Sequence, residues 1–270
     1  IEVVDEVQVA TPFGEPSDSF VIGVYEGTNI AFLSRHGRGH RLLPAEINYQ
    51  ANIYANKMLG AGSIISINSV GSLKEEIRPR DVVIPDQFFD RTRRKNSFFG
   101  QGVAAHVSMA EPVCASLAGA LYRGGENLGL RIHPKGTYVC IEGPTFSTKA
   151  ESGVYRSWGF DVIGMTSATE AKLCREAEIC YASVSLITDY DVWHESEGPV
   201  SVEKILENVA ENGSNAKALL REVIPQIAGA DRHVCSCSGA LEGCILTDPA
   251  IIPQQAKERL RHILEKYLGQ

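Results

Sequence analysis

The chain has 270 residues, 44% hydrophobic and 22% charged, with a net charge of -7. That is enough to bury a full core and sits near the upper limit of one domain, so a single α/β domain is the simplest count. The acidic balance argues against a nucleic-acid surface, no run approaches the ~18 apolar residues of a membrane span, and no charged-then-apolar leader is read at Ile1, so a cytoplasmic protein is expected.

Taken in order, Glu2 to Val9, Phe20 to Tyr25 and Asn29 to Leu33 alternate polar and apolar residues, which predicts three short strands. The stretch Arg35-His36-Gly37-Arg38-Gly39-His40-Arg41 follows a strand end and crowds five cationic or imidazole groups into seven positions. Such a loop suits an oxyanion such as phosphate, and it equally suits a solvated basic turn. Pro44 is expected to open a helix through about Leu59. Ser63 to Ile67 reads as a buried strand ending in Asn68-Ser69-Val70-Gly71-Ser72, a second polar, glycine-containing strand end. Asp81 to Phe89 predicts a further strand and Arg91 to Gly102 a surface loop.

A second helix is expected from Pro112 to about Leu128, then a strand over Thr137 to Ile141, a helix over Ala150 to Trp158, a strand over Asp161 to Gly164 and a helix from about Ala168 to Ala177. The apolar run Cys180 to Leu186 leads into Ile187-Thr188-Asp189-Tyr190-Asp191-Val192-Trp193. A run of that kind is a buried strand of a parallel sheet, whose carboxyl end is where open α/β sheets hold ligands. Asp189 and Asp191 would point the same way if the strand continued; alternatively they end the strand and begin a turn. A long closing helix carries an apolar stripe from Val202 to Ile227, bent or interrupted at Gly213, and a last helix spans about Pro253 to Leu268. The alternation predicts one central, largely parallel mixed sheet covered by helices on both faces.

Seven cysteines do not form the framework of a small secreted domain. Cys114, Cys140, Cys174 and Cys180 read as small buried side chains. Cys235-Ser236-Cys237 can form a reducible local disulfide or, with His233 and Cys244, a four-ligand zinc set. The spacing is unusual for a metal, which ranks the redox pair above zinc and unpaired thiols in a reducing cytosol above both.

Six fragments occur in one order: Arg35 to His40, Asn48 to Asn52, Val70-Gly71-Ser72-Leu73, Ile141-Glu142-Gly143-Pro144, Gly164-Met165-Thr166 and Thr188-Asp189-Tyr190-Asp191. In this the chain resembles the 5'-methylthioadenosine phosphorylase branch of the trimeric purine nucleoside phosphorylases, over roughly residues 10 to 240. The resemblance implies a single nucleoside phosphorylase domain over 1–270, with an atypical C-terminal extension from about 247. It implies phosphorolysis of 5'-methylthioadenosine to adenine and 5-methylthioribose 1-phosphate, with no metal or organic cofactor. Carried over by position, Arg35, His36, Asn68, Ser69 and Thr166 would bind phosphate. Met165 would lie against the ribose, and Phe146 and Ser147 would line the base pocket. Val202 and Ile205 would meet the alkylthio group.

In the same way, Asp189 would hold a proton near N7 of the purine, its pKa raised by desolvation, and Asp191 would read the 6-amino group or orient its neighbour. His106, on a segment that otherwise reads as a core face, would reach a neighbouring site in a homotrimer or dimer of trimers. The chain also departs from the family pattern. The family's glycine-rich N-terminal turn, a phosphate contact, has no match at Ile1, Thr145 stands where arginine is usual, and Asn68-Ser69 looks like relatives acting on 6-oxopurines. A 6-oxopurine nucleoside phosphorylase and a non-catalytic nucleoside-binding relative are therefore the alternative readings.

Overall fold

The computed structural model describes residues 2–194, 202–228 and 235–268, without the side chains of 202–206. The three short strands expected near the start, β1 (Glu2–Val7), β2 (Phe20–Tyr25) and β3 (Thr28–Phe32), form an antiparallel sheet of their own, apart from the central one. The main sheet holds β4 (Ser63–Ser72), β5 (Val82–Val83), β6 (Gln87–Asp90), β7 (Ile132–His133), β8 (Thr137–Cys140), β9 (Val162–Gly164) and β10 (Cys180–Asp189). Their order is β6-β8-β9-β4-β10-β5-β7. β10 runs parallel to β4, whereas the β4–β9 and β10–β5 pairs are antiparallel, so the sheet is mixed.

The helices are α1 (Tyr49–Met58), α2 (Ala115–Asn127), α3 (Lys149–Ser157), α4 (Ser167–Glu176), α5 (Val202–Ala228), α6 (Gln254–Arg259) and α7 (Arg261–Leu268). Several boundaries differ from the sequence expectation, each for a local reason. α1 starts at Tyr49 because the Asn48 side chain accepts the Ala51 N–H at 3.1 Å, while the Pro44 carbonyl accepts the Tyr49 hydroxyl at 2.9 Å. The strand expected over 81–89 divides into β5 and β6 around Pro85, which has no N–H for a ladder. α5 continues through Gly213, and the final helix divides at the fully buried Leu260.

β10 lies between two apolar layers, which is why its sequence is apolar almost throughout. Tyr181 packs with Tyr54, Phe98, Leu173, Leu260 and Leu264 on one side. Ala182, Val184 and Leu186 pack with Leu117, Leu121, Leu219 and Val223 on the other. Strand alternation thus sets α1, α4 and α7 against one face and α2 and α5 against the opposite one. Among the described residues no helix is long and apolar enough to cross a membrane.

Candidate active site

At its carboxyl end β10 departs from regular pairing, with a register shift against β4 between Ile187 and Asp189. α5 reaches two carbonyls there: Asn208 Nδ2 donates to Thr188 O at 2.6 Å, and Asn212 Nδ2 adds a second bond, at 2.9 Å, to Ile187 O, which already accepts from the Arg80 N–H at 2.8 Å. The strand ends at Asp189 and does not continue to Asp191, whose φ of 55° turns the chain back. Both carboxylate oxygens of Asp189 accept hydrogen bonds, Oδ2 from the Thr188 hydroxyl at 2.6 Å and Oδ1 from the Asp191 N–H at 2.7 Å. The two aspartates still share one place, opposite Gly71 of β4. A Cβ there would press on Asp189 Oδ1 at 3.1 Å and touch Asp191 Cβ at an ordinary 3.4 Å, so the glycine gives room chiefly to Asp189.

Asp191 is buried, and its Oδ2 has no hydrogen-bond partner. Burial pushes its carboxyl up to about 6, the Ser152 hydroxyl holding it down and the Asp189 charge adding to the rise. Ser152 Oγ, on α3, is the hydroxyl facing that carboxyl, and Ser147 Oγ, just before α3, is buried without a partner. An unmatched buried hydroxyl is unusual in a protein interior and suits a polar ligand.

Asn68 and Ser69 are not at a strand end, since β4 continues to Ser72. They alternate across the sheet. Asn68 faces inward, donating to Ser183 Oγ at 2.7 Å and accepting from Ser185 Oγ at 3.3 Å, and Ser183 Oγ lies 3.3 Å from Ser167 Oγ at the start of α4. Ser69 is exposed and shares a face with Gly71 and hence with the aspartates. The two side chains therefore do not meet at one oxyanion. Thr166 is buried at the N-cap of α4 and its hydroxyl makes no capping bond. That leaves a helix N-terminus whose leading N–H groups are free of side-chain capping.

The basic loop is more internally engaged than its composition suggests. Arg35 pairs with the buried carboxylate of Glu170, bonds Ser66 Oγ, and donates to Ile67 O at 3.3 Å. Glu170 also accepts from Ser66 at 2.7 Å and Tyr181 at 2.9 Å. Burial disfavours the Arg35 charge, and Glu170 more than restores it. Arg38 pairs with Glu6 and Asp18, and Arg41 donates to Ser17 O at 2.7 Å. His36 Nδ1 meets Leu42 O at 2.8 Å, and its ring stacks on His40 with centroids 4.2 Å apart. Burial lowers the His36 pKa, the Leu42 carbonyl opposing and the neighbouring His40 and Arg35 adding to the fall. Its Nε2 is the ring nitrogen that remains to meet a ligand.

Met165 packs against Gly143, where a Cβ would come within 2.5 Å of its sulfur. Arg94 braces this loop from below: it bonds the Met165 and Glu142 carbonyls, donates to Tyr49 Oη at 2.9 Å and pairs with Glu142 at 3.0 Å. The sequence reading took Arg94 for a surface loop residue, but its side chain is only 6% exposed. Phe146 is exposed. His106 is exposed too, on a segment held by a 3.0 Å bond from its N–H to Cys244 O; its neighbours Ala105 and Val107 pack on the core, and the His106 side chain itself does not. Val202 and Ile205 belong to α5, with side chains outside the described residues, as is His233. Asn208 and Asn212 were missed as well, although their signal was present: two asparagines four apart on the apolar stripe of a helix need buried partners.

The whole arrangement has counterparts. A family profile described as the phosphorylase superfamily matches residues 2–225. The chain belongs to the phosphorylase superfamily. Within it, this phosphorylase is 55% identical to the S-methyl-5'-thioadenosine phosphorylase of Gloeobacter violaceus over 97% of its own length and 89% of the relative's. It superposes on the crystal structure of a methylthioadenosine phosphorylase from an antarctic soil metagenomic library with a TM-score of 0.92, at 45% identity over 96% of this chain and 92% of that one. The corresponding values for the Schistosoma mansoni methylthioadenosine phosphorylase in complex with adenine are 0.87, 33%, 91% and 93%. The phosphorylase therefore sits on the methylthioadenosine branch, as its six sequence fragments imply.

Proposed function

We propose that this phosphorylase cleaves 5'-methylthioadenosine with inorganic phosphate, releasing adenine and 5-methylthioribose 1-phosphate. The observation that carries the reading is the aspartate pair opposite Gly71, with one buried carboxyl raised to about 6 and faced by the Ser152 hydroxyl. Breaking a ribosyl C–N bond builds positive charge on the ribose and negative charge on the purine, so a proton donor belongs at the base and an anion at the sugar. Asp189, oriented by Thr188 and the Asp191 N–H, faces N7, and Asp191 Oδ2 accepts from the 6-amino group. The proton belongs to the pair as a unit. A carboxylate pair favours a 6-aminopurine over a 6-oxopurine, whose O6 it would repel.

Phosphate meets the Thr166 hydroxyl and the N-terminus of α4, with His36 Nε2 and Ser69 on its open side. Asn68 serves from below, through its serine network. Arg35 supplies positive potential and the one Nη1 hydrogen left after its bonds to Glu170, Ser66 and Ile67. Met165 lies under the ribose, Phe146 and Ser147 border the base, and Val202 and Ile205 of α5 meet the methylthio group. The reaction uses no metal or organic cofactor. The whole chain works as one cytoplasmic domain in a homotrimer or dimer of trimers, the exposed His106 reaching a neighbour's site.

Adenine release from methylthioadenosine, followed with and without phosphate and against inosine, tests the reading. Release that requires phosphate, with inosine the poorer substrate, is expected; phosphate-independent release, preference for inosine or no turnover overturns it. Light scattering on the active protein tests assembly, and a fully active monomer is the contrary result.

A further inference from the structure

The pair Cys235 and Cys237 and two cysteines that read as ordinary buried side chains, Cys114 and Cys180, come together at the amino end of β10. Cys114 stands at the N-cap of α2, Cys180 opens β10, and Cys235 and Cys237 flank Ser236 at the entry to a short 3-10 helix, Ser236–Gly239. Their sulfurs all lie within 4.8 Å of one another, and Cys180 Sγ is 3.3 Å from Cys235 Sγ. All are free thiols, so no local disulfide joins Cys235 to Cys237. Cys244, the fourth ligand considered from sequence, lies outside the group and donates to Glu242 O at 3.5 Å.

We propose that Cys114, Cys180, Cys235 and Cys237 form a structural site for one thiophilic divalent cation, of which Zn²⁺ is the typical case. Tetrahedral coordination with metal–sulfur bonds of about 2.3 Å has sulfur–sulfur edges of about 3.8 Å, close to the spacing here. The mutual proximity of all four atoms is what a metal requires, whereas disulfides need them only in pairs. Four thiolates and a divalent cation leave excess negative charge, and two features answer it. The guanidinium of Arg175 lies 4.0 Å from Cys237 Sγ, and Cys114 sits at the positive end of the 13-residue α2. The surrounding shell is apolar, with Leu117, Ala182, Val184 and Leu219 among its members. Cys180 and Cys235 are partly accessible, which allows entry of the ion.

With all four positions taken by protein, the site is closed and does no chemistry. Nine residue steps along β10, roughly 30 Å at ~3.3 Å each, separate Cys180 from Asp189. Its effect is to fasten the C-terminal segment, which enters the core through Leu241, Leu260 and Leu264, to α2 and β10. The links are three separate parts of the chain, so the closed loops are long and the gain in stability on binding is correspondingly large.

The test uses the full chain, expressed and purified with reductant and zinc. Elemental analysis is expected to find one zinc per chain surviving gel filtration. Cobalt exchanged into the same protein should give intense thiolate-to-cobalt charge-transfer bands and the visible spectrum of a tetrahedral tetrathiolate. Cys180→Ser and Cys114→Ser should lose the metal and those bands, and Cys244→Ser should keep both. Chelation should lower the melting temperature while leaving the low-temperature turnover of the remaining folded enzyme unchanged. Should the ligand variants fail to fold, cobalt titration of the wild-type protein decides alone. Four reactive thiols with no bound metal at equimolar zinc, or an intact mass lacking two or four hydrogens through disulfides formed despite zinc and reductant, overturns the site.

Discussion

The two ends of β10 carry different chemistry on one apolar strand. At the carboxyl end the ladder loosens at the Ile187/Asp189 register shift, and the buried Thr188 and Ile187 carbonyls accept from Asn208 and Asn212, the latter alongside the Arg80 N–H. At the amino end the pairing with β4 is regular from Cys180 opposite Ser63 onward, and the groups that gather are sulfurs. The difference lies in what packs against each end. A helix with buried amides can hold carbonyls and orient a carboxylate, whereas a helix start with an arginine nearby favours thiolate against the pull of apolar surroundings.

The largest expected effect breaks the carboxyl end. Asp189→Asn keeps the shape and removes the acid proposed above, and should lower kcat/KM for methylthioadenosine by ~10²- to ~10⁴-fold while shifting preference toward 6-oxopurines. Steady-state phosphorolysis of methylthioadenosine and inosine measures both, and near-wild-type turnover would move the acid role elsewhere. Next is Glu170→Ala, which leaves Arg35 buried without its counter-charge. Urea unfolding should report a loss of about 3–5 kcal/mol; a loss below ~1 would mean that Arg35 reaches another anion.

Asn208→Ala is gentler, since it strands the Thr188 carbonyl and frees Arg80, whose Nε donates to Asn208 at 3.0 Å. A loss of ~1–3 kcal/mol is expected, with kcat falling more than KM changes because Asp189 loses its positioning. Equal changes in neither parameter would separate α5 from the site.

Asp191→Asn sharpens the comparison through pH. The folded carboxyl titrates at about 6 against an ordinary 3.8, so between those values the folded state holds a proton that the unfolded state has released. Stability thus falls as pH rises through that window, and Asp191 opposes folding above about pH 6. The interval corresponds to at most about 3 kcal/mol, reduced toward ~1 by partial solvent access. The variant should therefore melt higher than wild type at pH 7, with the gain disappearing near pH 4; a gain that is constant with pH contradicts the assignment. The smallest effect belongs to Cys244→Ser, expected within about 0.5 kcal/mol in thermal unfolding because its thiol lies outside the cluster.

Much of the architecture was legible in the residues. The buried run before Asp189, the strand–helix alternation and the loop at Arg35 to Arg41 are local patterns of hydrophobicity, charge and glycine, and periodicity reports those directly. The six ordered fragments carried the family. What the sequence located less well were ends and partners. Pro44 and Pro112 promised helix starts that Asn48 and Cys114 took over, and Asn68 and Ser69 proved to be mid-strand residues facing opposite ways.

By itself, then, the sequence determined the fold class and the family. Only the tertiary structure decided that Asp191 has the displaced carboxyl, that Arg94 braces Met165 from inside, that Arg35 is tied to Glu170, and that four cysteines up to 123 positions apart, Cys114 to Cys237, share one place. The reason is physical. Side-chain periodicity is set by the backbone's own geometry within a few residues, whereas desolvation, ion pairing and ligand clustering depend on distances between atoms that chain separation does not encode.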